Sequence, residues 1–146
     1  MLIDKQNTPM VAMEFMNDVH MEDIDIINKL FESILRYEEN SSCENKELIN
    51  AQYEAWYEHT LEHFKGEETM MREKNFPPYL FHKGEHDKAL SIMDNEFRKW
   101  QAANDIQALK HYFTEELPQW LIQHIQSMDT VTAMFFKSGL SPCQIS

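Results

Sequence analysis

Two short stretches place metal-binding side chains one helical turn apart. HFKGEE puts Glu67 four residues after His63, and HKGEH puts His86 four residues after His82. On an α-helix such pairs lie on one face, about 40° apart, so both side chains can hold one ion. His20 and His124 occupy apolar rows of their own. A buried imidazole without a partner costs about 1–3 kcal/mol, so His20, His63, His82, His86 and His124 together, with Glu67, need a common partner. A metal is the partner that imidazole and carboxylate donors share.

Helices must position these groups. Three glycines and five prolines in 146 residues are few punctuators, which favours an all-α chain with one domain over residues 1–146. The first helix is expected over about 18–38, with His20, Ile24, Ile27, Phe31 and Ile34 inward. The second, about 45–73, carries Ile49, Tyr53, Trp56, His63, Glu67 and Met70 on one face and stops at NFPP. The third, about 79–100, aligns Tyr79, His82, His86, Leu90, Met93, Phe97 and Trp100. The fourth, about 105–136, aligns Ile106, Leu109, Phe113, Leu117, Trp120, His124, Val131 and Phe135, with a kink at Pro118. Asn104 or Asp105 is placed to cap it, and a loosely held tail follows. Four helices on short loops prefer an up-down-up-down four-helix bundle.

In antiparallel neighbours, chain direction decides which residues share a layer. His20, His63, His86 and His124 fall in one layer, with Glu67 and His82 a turn further along. That is more donors than one tetrahedral ion requires, and it favours two ions bridged by carboxylate with at least six ligands.

The net charge of -12, from 25 acidic against 13 basic residues, argues against nucleic acid or an anionic membrane as partner. There is no apolar run of about 18 residues, and MLIDKQNTPM lacks the order of a secretory signal, so membrane insertion is not expected and the cytoplasm is. Cys43, expected in a loop, and Cys143, in the tail, have no CxxC spacing and read as free thiols. His111 belongs to no motif and is expected at the surface.

The segments HMEDIDIINKL, HFKGEETMM, HKGEHDKAL and WLIQHIQSMD, in this order, resemble the hemerythrin family in its single-domain bacterial form, over Asp18 to Phe136. The resemblance implies a non-haem di-iron centre that binds dioxygen. It adds a ligand that spacing alone does not select, Asp129, because five residues from His124 is about 140° of rotation on an ideal helix. It also implies that one iron is held by His82, His86 and His124 and the other by His20 and His63. Glu67, Asp129 and an oxide or hydroxide from water would bridge them, leaving an open position on the second iron.

Five neutral imidazoles and two carboxylates supply little negative charge. Two ferrous ions with Glu67, Asp129 and hydroxide sum to 4 minus 3, or +1, which favours binding and releasing dioxygen over activating it, in storage, delivery or sensing. No protein partner can be read from the chain. In oxygen-carrying members the pocket beside the open iron is apolar, whereas here Asp23 and His59 are expected to meet there, near Ile24, Leu90 and Trp120. That pair could simply pack, could serve as proton relay in a di-iron oxidase or peroxidase, or could hold a further metal. Iron or zinc handling without oxygen chemistry is the remaining alternative.

Overall fold

A computed structural model describes residues 2–11 and 13–138, so the tail expectation, with Cys143, lies outside the described residues. Four helical rods form an all-α bundle: α1 (Glu14–Glu39), α2 (Cys43–Glu73), α3 (Tyr79–Ala103), and α4, which is continuous through Ile106–His111, Tyr112–Glu116, Leu117–His124, Ile125–Asp129 and Thr130–Ser138. There is no strand among the described residues. Each rod packs on the next and α4 returns to α1, so the chain runs up, down, up and down.

Local chemistry sets the ends. Ser42 caps α2, its Oγ accepting from the Asn45 N–H at 3.1 Å. Cys43 is therefore the exposed first residue of α2 rather than a loop residue. Both capping candidates between α3 and α4 are used: Asn104 ends α3 in the left-handed region (φ 52), and Asp105 Oδ1 accepts from the N–H groups of Gln107 and Ala108 at 3.1 Å. Helix α1 begins a turn earlier than expected, after Met13, which offers no side-chain cap. Two asparagine amides instead tie the preceding arm to it. Asn17 accepts from the Val11 N–H at 2.8 Å and donates to its carbonyl at 2.9 Å, and Asn28 does the same for Ile3 at 2.8 and 3.0 Å.

The rod α4 departs from regular α-geometry twice. Residues Tyr112–Glu116 and Ile125–Asp129 are π-turns, in which the Leu117 N–H donates to the Tyr112 carbonyl and the Thr130 N–H to that of Ile125. The irregularity expected at Pro118 thus takes the form of a π-turn just before it.

Two apolar clusters occupy the bundle interior. The larger includes Ile24, Ile27, Leu30, Ile34, Tyr53, Trp56, Trp100 and Phe113; the smaller holds Met16, Met71, Phe76, Ala133, Phe135 and Phe136. Leu30 and Met71, rather than Phe31 and Met70, take the fully buried positions. The candidate ligands sit along the rods between these clusters, closed off from water at both ends.

Candidate metal centre

All seven candidate ligands come together. His20 comes from α1, His63 and Glu67 from α2, His82 and His86 from α3, and His124 and Asp129 from α4. Each side chain is at most 6 % exposed. They form two groups that share a residue: Glu67, His82, His86, His124 and Asp129, and His20, His63 and Glu67.

The carboxylates link the groups. Asp129 directs Oδ2 to His20 Nε2 at 2.9 Å and Oδ1 to His82 and His124 Nε2 at 2.9 and 3.2 Å. Glu67 directs Oε2 to His63 Nε2 at 3.2 Å and Oε1 to His86 and His82 Nε2 at 3.2 and 3.8 Å. Each carboxylate therefore turns one oxygen to each histidine group. Asp129 reaches this position because the π-turn fits five residues into one turn, which brings it back under His124.

Outer partners fix the rings. His63 Nδ1–H donates to Asp23 Oδ2 at 2.8 Å, His82 Nδ1–H to Thr132 Oγ1 at 2.7 Å, and His86 Nδ1–H to Glu68 Oε2 at 2.9 Å. With Nδ1 as donor, each of these rings offers its Nε2 lone pair inward. Phe64 stacks on His86 at 3.8 Å between centroids and Trp120 on His124 at 4.6 Å, so two rings are also held by faces. Glu68 and Thr132 carry no spacing signal in the sequence.

Hydrogen bonds within the cluster favour its charged forms, so a metal bound at His63 Nε2 would displace a proton. Burial and the charge of Asp129 raise the Glu67 carboxyl, but the imidazoles of His63 and His86 outweigh both and bring it down to about 2. Burial also works against the Asp129 charge, yet His124, His20 and His82 hold that carboxyl well below its ordinary range. Burial lowers the His63 imidazole, while its bonds to Asp23 and Glu67 prevail and lift it to about 10.

The donor set fits a metal on hydrogen-bonding grounds. Buried atoms without a hydrogen-bond partner include Glu67 Oε1, His86 Nε2 and Asp129 Oδ1, which all face the centre of the cluster. Glu67 Oε1 and His86 Nε2 are 3.2 Å apart but misaligned for a hydrogen bond, and the Nε2 atoms of His82 and His124 confront each other at 3.2 Å. Lone pairs that converge without protons between them are what a cation satisfies.

Asp23 and His59 also meet, with His59 Nδ1 and Asp23 Oδ1 at 2.5 Å. Asp23, 5 % exposed, thus bridges His59 and the candidate ligand His63. His59 reaches on to Glu22 Oε2 at 3.4 Å. A cavity of about 790 Å³ opens from the cluster between α3 and α4; Asp23 and Trp120 line it, whereas His59, Ile24 and Leu90 do not. Ile24 is buried in the larger core cluster and Leu90 packs against that cluster.

No family model matches the chain, and no solved structure matches it significantly. Three named proteins do. It is similar to a bacteriohemerythrin of Aquifex aeolicus, 28 % identical over 133 residues that cover 91 % of this chain and 96 % of that one. A bacteriohemerythrin of Methylococcus capsulatus is 29 % identical over 115 residues, 79 % of this chain and 81 % of its own. One of Ralstonia nicotianae is 38 % identical over 76 residues, 52 % and 54 % of the respective chains. With five histidines and two shared carboxylates inside a four-helix bundle, the chain is similar to the bacteriohemerythrins in sequence and carries a cluster able to hold metal.

Proposed function

We propose that the cluster holds two iron ions and binds dioxygen for storage, delivery or sensing. The observation that carries this is the division of both carboxylates between the two histidine groups, which suits Glu67 and Asp129 to bridge a pair of ions. His82, His86 and His124 would hold one ion and His20 and His63 the other, with oxide or hydroxide from water completing the bridge. With one imidazole fewer, the His20 and His63 side of the cluster would leave its ion a position for dioxygen. Bound as ferrous ions, the pair would supply the electrons that make dioxygen binding at that position possible. The chain's own residues, Asp23, Thr132 and Glu68, keep the rings of His63, His82 and His86 oriented. No helix among the described residues is long and apolar enough to cross a membrane.

The test is an optical spectrum of anaerobically loaded ferrous protein before and after dioxygen, with an iron count. A visible band that forms with dioxygen, disappears on its removal and returns, at two irons per chain, is the expected result. Protein that yields its iron readily to a chelator and forms no band would be a metal-handling protein instead. A second reading, a di-iron oxidase or peroxidase, is favoured by the cavity. At about 790 Å³ it falls within the range of about 300–1,000 Å³ typical of small-molecule sites, far more than a diatomic gas fills. Steady consumption of peroxide or of an added reductant would establish that reading.

A further inference from the structure

Among the outer partners of the five imidazoles, Asp23 stands apart. Thr132 is uncharged, the Glu68 side chain is 13 % exposed, and the Nδ1 atoms of His20 and His124 have no hydrogen-bond partner. The Asp23 side chain is 8 % exposed and gives one oxygen to His63 Nδ1–H at 2.8 Å and the other to His59 Nδ1 at 2.5 Å. Beyond it, His59 is 28 % exposed and pairs with Glu22, which is 65 % exposed, so only the outer end of this chain of contacts meets water.

With His59 and His63 both donating, neither Asp23 oxygen carries a proton to pass towards the cavity, and His59 does not line it. The pair therefore acts through His63. We propose that Asp23 is a positioning residue whose charge, applied through His63 Nδ1–H, makes His63 Nε2 a stronger donor and biases the second iron towards its ferric state, with His59 drawing off part of that charge. A carboxylate on the far nitrogen fixes the tautomer and raises the basicity of a ligating imidazole, and negative charge near a metal favours its oxidised form. Burial strengthens the effect because little water screens it. This inference rests on the di-iron reading.

The experiment is the reduction potential of the iron-loaded full chain, followed optically, in wild type, Asp23→Asn and His59→Leu. Asp23→Asn keeps the shape and removes the charge. It should raise the potential by about 59 mV, a tenfold change in the ferric-to-ferrous ratio for one electron. His59→Leu removes the residue that shares the charge and should move the potential the other way. Opposite shifts at an unchanged iron count support the inference. Shifts of the same sign, or none, overturn it and leave a packing role. If Asp23→Asn fails to fold, His59→Leu at its partly exposed position decides alone, and an upward or absent shift overturns the proposal. Wild type that takes up no iron pair would overturn the di-iron reading and this inference with it, whereas two irons with unmoved potentials overturn this inference only.

Discussion

His82 has no exposed surface, and its Nδ1–H has one acceptor, the hydroxyl of Thr132, which itself donates to the Met128 carbonyl at 2.8 Å. Thr132→Val keeps the shape and leaves the His82 Nδ1–H without its acceptor. Stability should fall by about 1–3 kcal/mol and metal retention by about 10-fold to 100-fold, whereas Thr132→Ser should restore both. Urea unfolding and competition with a chelator measure the two effects, and retention equal to wild type would remove Thr132 from the site. At this scale the histidines were legible because spacing of four on an apolar row survives any detail of packing. The partners of their outer nitrogens were not. Thr132, Glu68 and the contact between Asp23 and His63 depend on ring orientations that join different helices, and periodicity carries no information about those orientations.

Within α4, the π-turn Ile125–Asp129 converts a five-residue separation into a shared face. Hydroxyls answer the carbonyls that such a turn displaces: Ser127 donates to Gln123 at 2.7 Å and Thr130 to Ile125 at 2.6 Å. A π-turn is equivalent to one residue added to an α-helix, with the rod beyond it keeping its orientation. Deleting the exposed Ser127 should therefore leave His124 and Asp129 four apart on an ordinary helix and still facing one another. We expect the deletion variant to bind as many metal ions as wild type and to keep its helix content. Metal analysis with circular dichroism checks this, and loss of an ion would show that the turn does more than absorb an extra residue. The sequence left Asp129 about 140° out of place because a regular helix was the frame for α4, and local propensity does not announce where one turn widens. Caps were easier to read: Asn104 and Asp105 act through their own backbone neighbours.

At the scale of the whole molecule, the bundle was legible in four apolar rows and few breakers, because each row must be covered by another. What the rows could not give is how the interior divides into two apolar clusters with an ionisable layer between them. That division matters for stability at high pH. Tyr53 lies in the larger cluster, 1 % exposed, its hydroxyl donating to the Met93 carbonyl at 2.7 Å, and Tyr112 lies nearby at 4 %. Burial, with the charge of Glu96 adding to it, raises both phenols far above the ordinary value of 10. Below that value both are neutral whether the chain is folded or not, and their contribution is complete. Above it the unfolded chain gives up protons that the folded chain keeps, so stability falls by about 1.4 kcal/mol per pH unit for each tyrosine. Tyr112→Phe should halve that slope. Tyr53→Phe should halve it too, but at a loss of about 0.5–1.5 kcal/mol near neutral pH, since the bond to Met93 goes with the hydroxyl. Urea unfolding between pH 8 and about pH 11.5 separates these outcomes, and a slope that neither substitution changes would place the alkaline transition in the exposed lysines and not in this core.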